Sequence, residues 1–225
     1  MLVVDLFSGL GGWSKPALDR GHEVFRVEME PRFDAELHAD ILTLSPDDLP
    51  FRPDLLLASP PCEAFSVMRI GRNWNYDRTP KNDRARHGLA LVEATIALIS
   101  ATQPRYFVIE NPRGQLRMMP QMQGFERRTV TYCQYGEQRM KPTDLWSASW
   151  PPSLVLHEPC VPGSSCHVAA PRGSRTGTQG YAGDDYWVKS VVPYALALDV
   201  TMAAERDTAE ERGGSIEWQM RAWND

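Results

Sequence analysis

The sequence has few cysteines, no long apolar run and no excess of positive charge. In a reducing compartment, four cysteines are more often thiols or metal ligands than disulfides. Because there is no initial signal peptide and no apolar run of membrane-spanning length, we expect a cytoplasmic protein without a membrane partner. The formal net charge of -5 excludes a surface coated in positive charge, so any contact with nucleic acid requires a local basic patch.

What the sequence does contain is a set of three polar clusters, each placed directly after a short apolar run. One run leads through two prolines to Cys62, another ends in Glu110, and the first in the chain leads to a glycine-rich turn at 8–12. Such runs predict buried strands, and the carboxyl ends of parallel strands share one edge of a sheet. The pattern therefore predicts an α/β fold with one crevice. A cysteine beside a strand is by itself more often a small buried hydrophobe, so the combination carries the argument.

In this combination the chain resembles the DNA (cytosine-5) methyltransferases. The matching stretches, in the order and spacing of that family, are Asp5-Leu-Phe-Ser-Gly-Leu-Gly-Gly12, Ser59-Pro-Pro-Cys62 and Glu110-Asn-Pro112. The resemblance is good over residues 1–145 and loose beyond them. It implies a Rossmann-like S-adenosylmethionine-dependent methyltransferase fold, with a mostly parallel central sheet and helices on both faces.

The length of the chain suits one α/β domain with a small appendage. We expect residues 1–149 to form the catalytic and cofactor-binding domain, and residues 184–225 to form a C-terminal helical region that completes it. Between them, residues 150–183 are rich in Pro, Gly, Ser, Thr and Arg, and are expected to form a short loop-rich target-recognition segment. We further expect a monomer in which residues 201–225 form a charged surface helix.

The resemblance implies a site for S-adenosylmethionine at the ends of the first strands. The glycine-rich turn would hold the amino-acid part of the cofactor, Phe7 would lie near the adenine, and Asp40 would accept from the adenine amino group. Glu28 would bind the ribose hydroxyls, as carboxylates at the end of a second strand do in nucleotide-binding folds. The expected cofactor-binding residues are Asp5, Phe7, Ser8, Gly9, Leu10, Gly11, Gly12, Glu28, Met29, Asp40, Ile41, Pro60 and Ser190. Taken alone, a glycine-rich turn is often only a tight turn, and Glu28 could belong to a solvated acidic turn.

The resemblance also assigns the chemistry. Cys62 would be the nucleophile that adds to C6 of cytosine, and Glu110, positioned by Asn111, would carry a proton at N3. The family's Gln-x-Arg-x-Arg pattern is only partly kept here, which leaves open whether Arg139 or Lys141 supplies the cation near the carboxylate. Two alternatives keep the fold and change the reaction: another cytosine substrate, dCMP or RNA, or a modified sulfonium donor. A third alternative is a non-catalytic DNA-binding protein.

The stretch after Cys62, residues 69–87, combines basic and aromatic side chains in an otherwise acidic protein. Guanidinium groups bind phosphates and aromatic rings stack on bases, so this composition predicts a loop that contacts double-stranded DNA. The expected DNA-binding residues, including two from the recognition segment, are Ser66, Arg69, Arg72, Trp74, Arg78, Lys81, Arg84, Arg172 and Arg175. A run of charge can also be no more than a solvated surface.

Two imidazoles and two thiols lie close together in the recognition segment, at His157, Cys160, Cys166 and His167. This inventory could complete a tetrahedral zinc site and stiffen a segment too polar to fold by itself, although the spacing is not that of a standard zinc finger. We interpret the remaining cysteine outside the catalytic motif, Cys133, as structural.

Overall fold

Seven strands form one sheet in the computed structural model, which describes residues 1–168 and 186–222. The sheet order is β3-β2-β1-β4-β5-β7-β6, with parallel pairing from β3 to β5, and β7 is antiparallel to both β5 and β6. The strands are β1 Leu2–Leu6, β2 Glu23–Glu28, β3 Leu37–His38, β4 Leu55–Ala58, β5 Tyr106–Pro112, β6 Glu126–Thr131 and β7 Pro142–Ser147. Arg172 and Arg175, which the sequence assigns to DNA contact, lie outside the described residues.

Helices cover both faces of this sheet. The helices are α1 Lys15–Asp19, α2 Ile70–Asn73, α3 Asp83–Thr102, α4 Tyr186–Ser190 and α5 Tyr194–Ala222. Successive residues of a strand point to opposite faces, so Val4 packs in one core with α3 while Val3 packs in the other with α1 and α5. The mostly parallel α/β architecture predicted from the sequence is therefore confirmed.

Several element boundaries differ from the sequence-based expectation. Apolar spacing predicts a helix from residue 88, but α3 begins at Asp83 because the side chain of Asn82 accepts a hydrogen bond from the Ala85 amide at 2.9 Å. The strand expected at 129–136 ends at Thr131 and passes into a 3-10 turn. Strand β7, which the sequence analysis did not predict, pairs with both of its neighbours.

The expectation of a surface helix after residue 200 is wrong for its first two turns. Thr201, Ala203, Ala204, Asp207 and Thr208 of α5 are all buried. The small apolar side chains face the sheet, and Asp207 accepts a hydrogen bond from the Ser153 amide at 3.0 Å. Because this part of the sequence is highly charged, the sequence does not indicate the buried stripe. Among the described residues, no helix is long and apolar enough to cross a membrane.

Candidate active site

A cavity of about 450 Å³ lies at the carboxyl ends of β1, β2, β4 and β5, and we call it the strand-end cavity. The chain runs outward from β1 to β3 on one side and from β4 to β5 on the other, so the cavity sits where the strand order reverses. This is where open α/β sheets bind their ligands. The predicted site residues that line it are Phe7, Ser8, Gly9, Leu10, Gly12, Glu28, Met29, Asp40, Ile41, Cys62, Glu110, Lys141 and Ser190.

The carboxylate of Glu28 ties the glycine-rich turn to the end of β2. Its Oε2 accepts from the Gly9 amide at 2.8 Å, and its Oε1 accepts from the Glu30 amide at 3.0 Å. Phe7 and Gly9 both have positive φ, 60° and 50°, so the backbone turns sharply beneath the cavity. The carboxylates of Glu28 and Asp40 both lie on the wall of the strand-end cavity.

Gly12 has no space for a side chain, for a reason that the sequence did not indicate. A Cβ at this position would lie 2.8 Å from the Val192 amide nitrogen and 2.9 Å from Val191 Cγ1. The close approach is therefore to the chain's own segment before α5, which forms one wall of the cavity. A side chain here would push that wall outward.

Three residues predicted to bind the cofactor lie behind the cavity wall. Asp5 is buried at the end of β1, where burial raises the pKa of its carboxyl to about 7. The Gly11 amide donates to the Ser8 carbonyl at 2.7 Å, within the turn. The Pro60 carbonyl accepts from Asn111 Nδ2 at 2.8 Å. These groups shape the turns around the cavity and do not line it.

Cys62 and Glu110 both face the strand-end cavity. Cys62 begins a 3-10 turn after β4, and its carbonyl accepts from the amides of Phe65 and Ser66, both at 3.0 Å. Glu110 lies in β5, and its neighbour Asn111 joins β5 to the turn before Cys62 through the bond to Pro60. This hydrogen bond links the strand that carries Glu110 to the turn that carries Cys62.

The sequence analysis missed Tyr132, which contacts Glu110 directly. Its hydroxyl donates to Glu110 Oε1 at 2.9 Å, and its ring is fully buried. Burial raises the pKa of Glu110, opposed by the charge of Lys141 and by hydrogen bonds from Tyr132 and Ser59. A carboxyl in this environment keeps its proton to a higher pH than an ordinary glutamate. Tyr132 belongs to a run of β-branched and aromatic residues, which is typical of a hydrophobic core. Its contact with Glu110 is therefore seen only in the structure.

Lys141, and not Arg139, presents its charge to the cavity. The Lys141 ammonium lies 4.2 Å from the centroid of the Tyr132 ring and donates to the Lys189 carbonyl at 3.2 Å. Burial lowers its pKa, while the nearby Glu110 and Cys62 oppose that shift. Arg139 forms an ion pair of 3.0 Å with Glu137 and lies outside the cavity lining.

Two tryptophans that the sequence analysis did not select also line the strand-end cavity. Trp13 donates from Nε1 to Ser59 Oγ at 2.9 Å, next to the proline turn. Trp187 of α4 packs edge-on against Phe33 at 4.9 Å, and the Arg32 guanidinium lies over both rings. The Ser190 hydroxyl donates to the Trp187 carbonyl at 2.7 Å. Both residues belong to α4, which therefore forms one wall of the strand-end cavity.

Most cations of the basic loop at 69–87 are exposed, as predicted, but Trp74 is buried. Its ring is 2% exposed, stacks on Phe65 and donates from Nε1 to the Ala64 carbonyl at 2.8 Å. The prediction that Trp74 contacts DNA is therefore corrected: it anchors the loop. The exposed aromatic ring of this loop is Tyr76. The other predicted contacts are exposed or partly exposed, and they are Ser66, Arg69, Arg72, Arg78, Lys81 and Arg84.

The predicted metal ligands are only partly brought together. Cys160, Cys166 and His167 cluster with Cys133, whereas His157 stacks on Tyr135 and its Nδ1 lies 2.9 Å from the Gln134 carbonyl. Two interpretations are thus corrected: His157 leaves the set, and Cys133 joins it. Cys133 is close in space although it is 27 residues before Cys160 in the chain.

Comparison with known proteins finds relatives of this chain. A protein of Frog virus 3 (isolate Goorha) named "Probable DNA (cytosine-5)-methyltransferase" is 32% identical over 154 residues, which cover 65% of this chain and 70% of that protein. The type II methyltransferase M1.HphI of Haemophilus parahaemolyticus is 33% identical over 129 residues, 49% of this chain and 32% of its own length. The crystal structure of the S. pombe Dnmt2 methyltransferase aligns with 65% of this chain and 48% of its own, at 16% identity and a TM-score of 0.42.

The family model for C-5 cytosine-specific DNA methylase matches residues 1–123. This range includes the glycine-rich turn, Cys62 and Glu110, and it is more than half of the 225 residues. The chain spans about a third of the bacterial relative and most of the viral one. The chain belongs to the C-5 cytosine-specific DNA methylase family.

Proposed function

We propose that this protein transfers a methyl group from S-adenosylmethionine to C5 of cytosine in double-stranded DNA, through a covalent bond between Cys62 and C6. The observation that carries the proposal is that the thiol and Glu110 face one cavity that continues to the glycine-rich turn. A nucleophile, a carboxyl with a raised pKa and a turn that can hold the methyl donor are the parts that this chemistry requires.

The residues at the far end of the cavity fit the cofactor. A volume of about 450 Å³ is in the range that holds a small-molecule ligand. Glu28 would accept from the ribose hydroxyls with the lone pairs left free by its two amide bonds, and Asp40 would accept from the adenine amino group. The apolar wall, which includes Phe7 and Ile41, would cover the adenine. When bound, S-adenosylmethionine supplies an electrophilic methyl group on its sulfonium to the activated C5.

Cys62 and Glu110 would act on opposite parts of the pyrimidine ring. The Cys62 thiolate adds to C6, which forms the S–C6 bond and shifts the C5=C6 electron pair toward C5. Negative charge that would otherwise build up at N3 and O2 is neutralised because protonated Glu110 donates to N3. The Lys141 ammonium stabilises the thiolate by its charge. After methylation, a base removes the C5 proton, the Cys62 sulfur leaves as the thiolate and N3 returns its proton to Glu110, which restores the C5=C6 double bond and the starting acid.

Glu110 and its partners also explain how the pocket selects a cytosine. Tyr132 fixes one oxygen of Glu110, and the protonated carboxyl would meet the N3 edge of a base. A base inside a duplex cannot reach a buried carboxyl, so the target cytosine would have to leave the stack. The exposed cations of the 69–87 loop would hold the phosphates beside it.

Transfer of a labelled methyl group tests this proposal. We expect the purified chain with methyl-labelled S-adenosylmethionine to label duplex DNA and to produce 5-methylcytosine in it. RNA and dCMP are the comparison substrates, because both contain cytosine without a DNA duplex. Label that appears in RNA or dCMP and not in DNA would favour the alternative substrates. Duplex binding without label in any substrate would indicate a non-catalytic protein.

The loop arginines are expected to set the affinity for DNA. We predict that a variant with glutamine at Arg69, Arg72 and Arg78, all exposed, binds a duplex more weakly. Each lost phosphate contact should also flatten the dependence of log K on log salt by about 0.9. Fluorescence anisotropy on a labelled duplex at several salt concentrations measures both quantities.

The matched control is Arg52→Gln, which removes one exposed cation near the opposite end of the sheet, where Arg52 Nε donates to the Gln103 carbonyl. The affinity and salt slope of this variant should stay at wild-type values. Equal weakening by both variants would mean that the protein attracts DNA through its overall charge and not through this loop.

A further inference from the structure

Three thiols and one imidazole converge at the end of β6, outside the strand-end cavity. The distances are 3.1 Å between the sulfurs of Cys133 and Cys160 and 3.7 Å between those of Cys133 and Cys166. His167 Nδ1 lies 3.6 Å from Cys160 Sγ and 3.5 Å from Cys166 Sγ. All four ligand atoms lie within 4.8 Å of one another, so they surround a single point.

Three of these four spacings are those of a tetrahedral metal site, and the fourth, between the sulfurs of Cys133 and Cys160, is shorter. Zinc binds thiolate sulfur at about 2.3 Å and imidazole nitrogen at about 2.0 Å, which puts neighbouring ligand atoms about 3.5 to 3.8 Å apart in a tetrahedron. A disulfide would use only two of the three thiols and leave the imidazole without a role. Soft sulfur ligands in this geometry select zinc over calcium or magnesium, which prefer oxygen. We propose that Cys133, Cys160, Cys166 and His167 bind one structural zinc ion.

The segment that carries three of these ligands has little else to hold it. None of the residues 157–168 is buried, so this stretch contributes almost nothing to the hydrophobic core. Its other attachments are the stacking of His157 on Tyr135 and a few hydrogen bonds, in which the Cys160 amide donates to Thr131 Oγ1 and the His157 amide to the Tyr135 hydroxyl. The Val168 amide donates to the Gln138 carbonyl at 2.9 Å. A metal that bonds four side chains would stabilise the segment far more than these contacts.

The site also connects the segment to the catalytic residues. Cys133 directly follows Tyr132, whose hydroxyl donates to Glu110. Lys141 follows in the same hairpin connection, where the Tyr132 amide donates to the Met140 carbonyl at 2.9 Å. Zinc bound at Cys133 would therefore anchor the 157–168 segment to the backbone that positions Tyr132. The position of the segment relative to the active site would then depend on the metal.

Metal content of the intact chain tests the proposal. We expect the full-length protein, purified without chelator, to contain about one zinc per chain by inductively coupled plasma mass spectrometry. Replacement of the metal by cobalt(II) should give the intense visible bands of tetrahedral coordination and the near-ultraviolet bands of sulfur-to-cobalt charge transfer. The spectrum does not require a variant to fold, so it decides the question even if ligand variants aggregate.

The ligand set is tested by matched variants. Cys133→Ser and Cys166→Ser are expected to lose most of the bound zinc, whereas His157→Ala and Cys62→Ser should keep it. Zinc retained by Cys133→Ser and lost by His157→Ala would overturn the proposed set in favour of His157. A metal-free wild-type chain, an octahedral cobalt spectrum, or a disulfide between Cys133 and Cys160 found by mass spectrometry would overturn the site itself.

Discussion

Replacing Cys62 with serine is expected to reduce methyl transfer by at least about four powers of ten, the scale of loss when an enzyme's covalent nucleophile is removed. A serine hydroxyl is far less ionised and less nucleophilic than a thiol, so the bond to C6 would not form. Cys62 is partly exposed and serine is close to it in size, so the substitution should leave the fold intact. Single-turnover transfer of a labelled methyl group to duplex DNA measures the loss.

The control is binding, which should remain at the wild-type value in Cys62→Ser. A duplex containing 5-fluorocytosine should form a covalent complex with the wild-type chain that survives denaturation, because fluorine at C5 cannot leave as the proton does. No such complex should form with the serine variant. Methylation by Cys62→Ser within tenfold of wild type would remove Cys62 from the role of nucleophile.

The sequence predicts that Cys62 and Glu110 converge because a parallel sheet places all strand ends at one edge, and the family resemblance implies their catalytic roles. Cys62 and Glu110 are 48 positions apart in the chain, yet β4 and β5 pair in parallel and both lead to the same cavity. The same logic predicts Glu28 and the glycine-rich turn. Each of these positions follows from a local signal, an apolar run that ends in a polar residue, together with one general property of α/β sheets.

Residues that depend on contacts between distant segments escape such an analysis. Trp74 has the composition expected of a DNA contact, but Phe65 and Ala64 offer it a stacking partner and a hydrogen-bond acceptor inside the protein. Cys133 is far from Cys160 in the sequence, but the turn after β6 brings the two side chains together. His157 was grouped with them by sequence proximity alone. Burial and partner choice are set by tertiary packing, which composition does not report.

Replacing Glu110 with glutamine is expected to reduce the rate of methyl transfer by about two to four powers of ten, the usual contribution of a positioned general acid. Glutamine has nearly the same shape and can still accept from the Tyr132 hydroxyl, so the geometry should be kept while the transferable proton is lost. The raised pKa of Glu110 means that the wild-type rate should fall as pH rises through it, because the acid form is then lost. The pH profile of single-turnover rates measures both effects.

The matched control is Glu63→Gln, which alters a carboxylate at the rim of the same cavity. Glu63 is half exposed and pairs with Arg84 at 3.4 Å, so we expect its loss to change the rate by less than about tenfold. In Glu110→Gln the alkaline fall in rate that belongs to Glu110 should disappear, whereas Glu63→Gln should keep it. Because Tyr132 donates to Glu110 but does not itself line the cavity, Tyr132→Phe should shift this alkaline fall without abolishing turnover. A Glu110→Gln enzyme with wild-type kinetics would mean that another group protonates N3, and the buried carboxyl would then have only a structural part in holding Tyr132.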